Sequence, residues 1–283
     1  MTLAVCAGSR PQTRYDEAMR GPDSGDLPDD SLGDMLRHGG SRVAFFGGSF
    51  DPPHLGHLAV ARAARAAFRL DMVLFAPVGT QPLKPEGSAA SFEDRLAMTR
   101  LAVDGEPGFT VSLADAPKAS GDRRFQPNYT FETLENLRAR LGPNCALYCL
   151  MGADSFFGLR HWHRAAELPL VAPLLVAARP GQLLDGLQAA LPRGLTLESV
   201  PDGGKCESGV EVRTFSLVNP GGDRAPFYVL PGLDVQISAS EIRKVIRKGL
   251  RAESGGVQLG AAVGQKLVPD SVAEYIQVHG LYR

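Results

Sequence analysis

Apolar residues along this chain follow two rhythms. Short continuous runs at 43–46, 72–76, 146–151 and 174–178 lack the alternation of a half-exposed strand, as expected of strands buried on both faces. Between them, Leu58, Ala61, Ala64 and Phe68 recur at helical spacing, and so do Leu134, Leu137 and Leu141. Ser91 with Asp94 three residues on reads as a capping-box start, opening a helix that would bury Phe92, Leu96 and Val103. Thr130 is the expected N-cap of the helix that carries the leucine stripe. Strands alternating with helices predict an α/β fold. It should be a doubly wound, Rossmann-like, mostly parallel sheet with helices on both faces and a small C-terminal helical part.

The rhythm fails in three places. Residues 1–40 hold many Gly, Asp, Pro and Arg with scattered apolar positions, too few to bury much surface. They are expected to be a disordered extension, with at most a short helix near 31–38. One domain, 41–283, follows, with its core in 41–200. Residues 201–224, rich in Gly, Asp and Lys, and 249–266, rich in Gly and Ala, read as loop insertions. Ligands of such sheets bind beyond the carboxyl ends of the strands. Segments 47–57, 77–84 and 152–154 each follow an expected strand and should therefore converge.

Composition narrows the partners. The 283 residues are 44% hydrophobic, and 30 Lys and Arg balance 31 Asp and Glu for a net charge of −1. That balance argues against nucleic acid or a membrane surface as partner. Cys6, Cys145, Cys149 and Cys206 have no Cys-x-x-Cys spacing. Cys145 and Cys149 flank an apolar run and read as core residues, with no disulfide framework expected. The most membrane-like stretch, 168–178, is short and broken by Pro169 and Pro173. With no signal-peptide pattern at the start, a cytoplasmic location is the expectation. A homo-oligomer remains compatible with all of this.

The densest chemistry lies between the first strand and the first helix. Gly47 and Gly48 let the backbone turn sharply and approach a ligand closely. The helix start that follows offers unpaired N–H groups and a positive dipole end to an anion. His54 and His57, three apart, can lie on one face above it. Two imidazoles over an anion site suit a reaction in which charge builds on phosphate oxygens. Taken in isolation, the same residues also fit an ordinary surface loop with solvated histidines. A zinc pair is a poor fit without a nearby thiol or carboxylate ligand, so no protein-bound metal is expected. The Gly-x-x-x-Gly-Gln-Lys run at 260–266 has neither the spacing nor the following Ser or Thr of a P-loop.

The uninterrupted string from Gly47 through Ser49, Phe50, Asp51, Pro52, Pro53 and His54 to Gly56 and His57 carries a His-x-Gly-His signature. It resembles the nucleotidyltransferase superfamily and, within it, the bacterial nicotinate-nucleotide adenylyltransferases. Further blocks share the likeness in order: Ala90, Ser91, Arg95 and Leu96; Tyr129, Thr130, Thr133 and Leu134; Gly152, Ala153 and Asp154; Trp162, His163 and Arg164. The segment Ile237, Ser238, Ser240, Ile242 and Arg243 and the terminal His279, Gly280, Leu281 and Tyr282 complete it. Leu83 stands where the family has a histidine before Lys84, Glu132 replaces its usual Asp, and 266–269 diverges from its Arg-Tyr-Leu-x-Pro run.

The resemblance implies adenylyl transfer from ATP to nicotinate mononucleotide, giving deamido-NAD and pyrophosphate in NAD biosynthesis. Nicotinamide mononucleotide or both could be the acceptor instead, and a non-catalytic nucleotide-binding regulator is a more distant alternative. It implies His54, His57, Lys84 and Arg243 as the catalytic groups and Mg²⁺ arriving with ATP. Gly47, Gly48, Ser49, Phe50, Ser238 and Ser240 would complete the ATP site. Thr130, Asp154 and Trp162 would receive the pyridine mononucleotide. On residue type alone, Ser238 and Ser240 could be helix caps, Asp154 an N-cap and Trp162 a core residue.

Overall fold

The computed structural model describes residues 40–84, 86–118, 126–178, 186–200, 212–230, 237–252 and 267–283, with the side chains of 248–252 excepted. The expected extension, up to residue 39, and 253–266 of the second expected insertion lie outside the described residues. Four strands stand where the apolar runs place them: β1 (Arg42–Gly48), β2 (Met72–Pro77), β4 (Ala146–Gly152) and β5 (Leu174–Ala177). With β3 (Phe109–Val111), β6 (Thr196–Ser199), β7 (Arg213–Val218) and β8 (Arg224–Leu230) they form one eight-stranded sheet in the order β3-β2-β1-β4-β5-β8-β7-β6. All pairs from β3 across to β8 are parallel, and β7 runs antiparallel to both β8 and β6. The mostly parallel α/β expectation is met.

Strand β1 shows why its run is continuous. Val43 and Phe45 enter an apolar cluster with Leu134, Leu137, Leu147 and Phe156 on one face. Ala44 and Phe46 enter another with Leu58, Ala61, Ala64 and Phe75 on the opposite face. Every side chain of a strand covered on both sides must be apolar, which removes the alternation. Helix α1 (Leu55–Phe68) covers the second face, burying Leu58, Ala61, Ala64 and Phe68 as expected. Helix α3 (Thr130–Leu141) covers the first, with Leu134, Leu137 and Leu141 buried. Cys145 and Cys149 are buried free thiols of this core.

The structure departs from the sequence reading at several elements. Helix α2 (Phe92–Val103) starts at Ser91, whose Oγ accepts the Asp94 amide at 3.0 Å. Its buried face, however, is Arg95, Ala97, Met98, Leu101 and Val103, with Phe92 and Leu96 only half-buried. The small alanines bring the helix close to its neighbours, and Arg95 turns inward to hydrogen-bond. The cap of α3 is Tyr129, and Thr130 is the first helical residue. The expected loop insertion 201–224 contains β7, a strand of mixed burial with no continuous apolar run to announce it. Residues 249–252, assigned to the second insertion, end helix α7 (Ala239–Ala252).

Short helices α4 (Ala153–Gly158), α5 (Leu168–Val171) and α6 (Leu187–Ala190) fill the first face. Helix α8 (Asp270–His279) follows α7. Residues of α2, α7 and α8 share a third, separate apolar cluster that includes Met98, Ile242, Ile246, Val272, Tyr275 and Tyr282. The C-terminal helical part is thus real, with a small core of its own. Among the described residues no helix is long and apolar enough to cross a membrane.

Candidate active site

Strands β1 and β4 are neighbours whose chains leave in opposite lateral directions, so a crevice opens beyond their carboxyl ends. The turn after β1 forms its floor. A Cβ on Gly47 would lie 2.8 Å from the Phe45 ring, so no side chain fits there without displacement. Phe50 adopts a left-handed φ of 47°, a conformation held by burial of its ring against Phe46, Phe75 and His57. Its ring lies 4.9 Å from that of His57, edge to face.

The two histidines stack, with ring centroids 3.7 Å apart. The His54 amide donates to His57 Nδ1 at 3.2 Å. A ring nitrogen that accepts carries no proton, so the proton of neutral His57 resides on Nε2, which is a donor. Burial, and secondarily the charge of His54, push the His57 pKa well below the ordinary histidine value. His57 is therefore a neutral hydrogen-bond donor at neutral pH before an anion arrives.

The helix start is less open to an anion than its sequence implies. The Leu55 amide donates to the Leu267 carbonyl at 3.0 Å, and the His57 amide returns to the His54 carbonyl. Leu267, in the described part of the divergent segment, thus docks on the start of α1. Ahead of the helix, the Ser49 and Phe50 amides meet no acceptor among the described residues. Ser49 Oγ accepts from Gln81 Nε2 at 2.7 Å and from Lys84 Nζ at 3.2 Å. Burial, with the charge of Arg243 second, lowers the Lys84 pKa.

Arg95, Asp51 and Tyr282, to which the sequence reading assigns no role, hold this turn together with Arg243, to which it assigns one. Arg95, 2% exposed, donates to the Ser49 carbonyl at 2.7 Å and to the Val78 carbonyl at 2.9 Å. Asp51 accepts from the Ala89 and Ala90 amides and from the Tyr282 hydroxyl at 2.8 Å. Arg243 Nη1 donates to the Asp51 carbonyl at 2.6 Å, and its Nη2 to Ser240 Oγ at 3.3 Å. The available signal was a charged residue inside an otherwise apolar helical face at Arg95. Of the two serines expected to cap α7, Ser238 does so, accepting the Glu241 amide at 3.2 Å, and Ser240 braces Arg243 instead.

Two cavities meet at the turn. One, of ≈ 690 Å³, is walled by Phe50, His54, His57, Ser238, Ser240 and Arg243. The other, of ≈ 520 Å³, is walled by Tyr129, Thr130, Trp162 and His163. Gly47, Gly48, Ser49, Lys84, Asp154 and Ser155 line both. Every residue expected in the catalytic, ATP and mononucleotide sites thus lines one cavity or both. Leu83, at the family's histidine position, is 57% exposed on the rim of the second. Glu132, at the family's Asp position, ion-pairs with Lys118 at 3.2 Å.

The aromatic cavity is braced from α3. Trp162 follows a short 3₁₀ turn, Leu159–His161, and its amide donates to the Leu159 carbonyl. The His163 ring lies 4.4 Å from that of Tyr129, and the Arg164 guanidinium sits 3.7 Å over the Phe131 ring. In the wall of this cavity Asp115 is 3% exposed and accepts the Thr133 hydroxyl at 2.8 Å. Burial outweighs that bond and pushes its pKa up to about 6.

Known proteins are similar to this chain in sequence and in fold. A family model described as cytidylyltransferase-like matches residues 45–245. A probable nicotinate-nucleotide adenylyltransferase of Laribacter hongkongensis is 37% identical over 241 residues, 85% of this chain and 94% of its own. Another, of Gloeobacter violaceus, is 34% identical over 243 residues, 86% and 97% of the two chains. Among solved structures, the Plasmodium falciparum nicotinic acid mononucleotide adenylyltransferase complexed with NaAD matches with a TM-score of 0.57, covering 86% of this chain and 97% of that one. At 16% identity that likeness speaks for the fold. Identity above one third across nearly the whole length of the bacterial relatives goes further: the chain belongs to the nicotinate-nucleotide adenylyltransferase family of nucleotidyltransferases.

Proposed function

We propose that the chain transfers the adenylyl group of ATP to nicotinate mononucleotide, releasing pyrophosphate and giving deamido-NAD, a step of NAD biosynthesis. The observation that carries this reading is the wall shared by the two cavities. A cationic, histidine-lined space and an aromatic space meet at Gly47, Gly48, Ser49, Lys84 and Asp154. Two ligands filling them would bring their reacting phosphates together over the glycine turn.

The acceptor's 5′-phosphate is already anionic at neutral pH, so no protein nucleophile is needed. One of its oxygens forms a bond to the α-phosphorus as the bond to the β-phosphate oxygen breaks, and pyrophosphate leaves with that electron pair. The chain's part is to hold two polyanions in line and to stabilise spreading charge. His57 Nε2–H, His54 and the free amides of Ser49 and Phe50 donate to phosphate oxygens, and Lys84 and Arg243 supply positive charge. Ser238 and Ser240 set the start of α7 beside them. Mg²⁺ enters as part of the MgATP substrate, held by phosphate oxygens and water.

In the other cavity Trp162 stacks on the pyridine ring, Thr130 and nearby amides meet its 3-substituent, and Asp154 accepts from ribose hydroxyls. Donors set for a carboxylate are poorly matched to an amide NH₂, and such mismatches discriminate strongly. Pyrophosphate release measured side by side with the acid and the amide mononucleotide tests this. A higher kcat/KM for nicotinate mononucleotide is expected. Preference for the amide would overturn the acceptor assignment, and no release with either would overturn the reaction.

A further inference from the structure

The phosphate cavity holds more positive charge than the groups assigned above account for. Helix α7 turns three successive cations toward it: Arg243, Lys244 and Arg247, at helix positions i, i+1 and i+4. Arg243 is committed, with one nitrogen on the Asp51 carbonyl and another on Ser240 Oγ. Lys244 and Arg247 are different. Both are exposed, both line the cavity, and among the described residues neither forms an ion pair or hydrogen bond.

The acids in the same wall do not neutralise them. Asp51 is taken up by two amides and the Tyr282 hydroxyl, and Asp154 lies at the boundary with the aromatic cavity. Glu86 lines the cavity from the loop after β2, and no ion pair joins it to either cation. Lys244 beside Arg243 and Arg247 one helical turn further on extend the positive strip along α7.

We propose that Lys244 and Arg247 form a terminal-phosphate subsite, which takes the far end of a linear polyphosphate whose near end lies on His54, His57 and Arg243. In the adenylyl-transfer reading, on which the identity of the nucleotide rests, that end is the γ-phosphate of ATP. The subsite then makes the enzyme prefer a triphosphate to a diphosphate. The flexible ammonium and the forked guanidinium suit a terminal phosphate, which presents more free oxygens and more charge than an internal one.

The probe is inorganic tripolyphosphate, titrated calorimetrically into the full chain at low salt. The test variant is Lys244→Gln/Arg247→Gln, which keeps good helix formers at both positions. The control is Arg193→Gln/Arg213→Gln, which removes two exposed charges outside both cavities. Tripolyphosphate affinity should fall about tenfold or more in the test variant, as for loss of at least one charge-assisted contact, and by less than about twofold in the control. Pyrophosphate affinity should fall less than tripolyphosphate affinity. The KM for ATP should rise while the KM for the mononucleotide holds.

Equal losses in test and control variants, or a wild-type chain that does not bind tripolyphosphate, overturn the subsite. A wild-type chain that binds tripolyphosphate through these residues yet releases no pyrophosphate with any pyridine mononucleotide keeps the subsite and overturns the reaction.

Discussion

At the scale of single residues, His57 shows how a proton is placed without being transferred. The His54 amide occupies Nδ1, so Nε2 keeps its hydrogen, and the low pKa keeps the ring neutral until phosphate arrives. Replacing His57 with Ala should lower turnover by about 10²-fold or more, the order seen when one transition-state donor is lost. Near-normal turnover in a folded variant would remove His57 from the chemistry. That expected role rests on the resemblance of the whole string from Gly47 to His57, since the glycines and histidines alone fit a surface loop as well. Asp115 carries no such signal, since one Asp between apolar residues looks like any loop carboxylate until its burial is known.

Asp115 carries a stability prediction of definite sign. Its folded-state pKa, about 6, lies above the ordinary carboxyl value of 3.8. Between those values the folded chain keeps a proton that the unfolded chain has released, so stability is fully present at lower pH and is lost as pH rises through about 6. An Asn side chain can still accept the Thr133 hydroxyl and has no charge to bury. Asp115→Asn should therefore be more stable than wild type near pH 8, by at most about 3 kcal/mol, and the gain should vanish near pH 4. Denaturant titrations at the two pH values measure it. An equal difference at both would show that the carboxyl is not the cause.

At the scale of elements, legibility followed burial. Strands β1, β2, β4 and β5 are covered on both faces, and continuous apolar runs announced them. Strand β3 has only three residues, too few for any pattern. Strand β7 lies toward the sheet edge with mixed burial, and β8 contains Pro226, which normally argues against an interior strand. Pro226 is tolerated because β5 pairs only from Phe227 onward. The cap of α7 was legible as Ser238, whereas the latch between the C-terminal segment and the glycine turn was not, since it joins residues 231 apart. Tyr282→Phe removes the hydroxyl donor from a buried carboxylate. It should cost about 1.5–3 kcal/mol, the range for a bond to a charged group. An unchanged unfolding midpoint would show that the Ala89 and Ala90 amides suffice for Asp51.

At the scale of the whole molecule, the doubly wound class was the expectation from sequence that located the site. Segments 47–57, 77–84 and 152–154, each following an expected strand, were expected to converge, and residues of all three line the two cavities. What the pattern could not show is that apolar contacts divide into two clusters on the sheet and a third shared by α2, α7 and α8. The Asp51 carboxyl and carbonyl join that third cluster to the glycine turn through Arg243 and Tyr282. Contacts so distant in sequence close late in folding, because the intervening chain must be ordered first. A small cluster held by a few such ties is also a natural unit of partial opening. Mild denaturant should therefore extinguish catalysis before the sheet melts: activity falls at a lower concentration than the far-ultraviolet signal, and amides of α7 and α8 exchange hydrogen sooner than those of β1 and β4. Coincident transitions would mean that the enzyme has no stage at which it is folded yet idle.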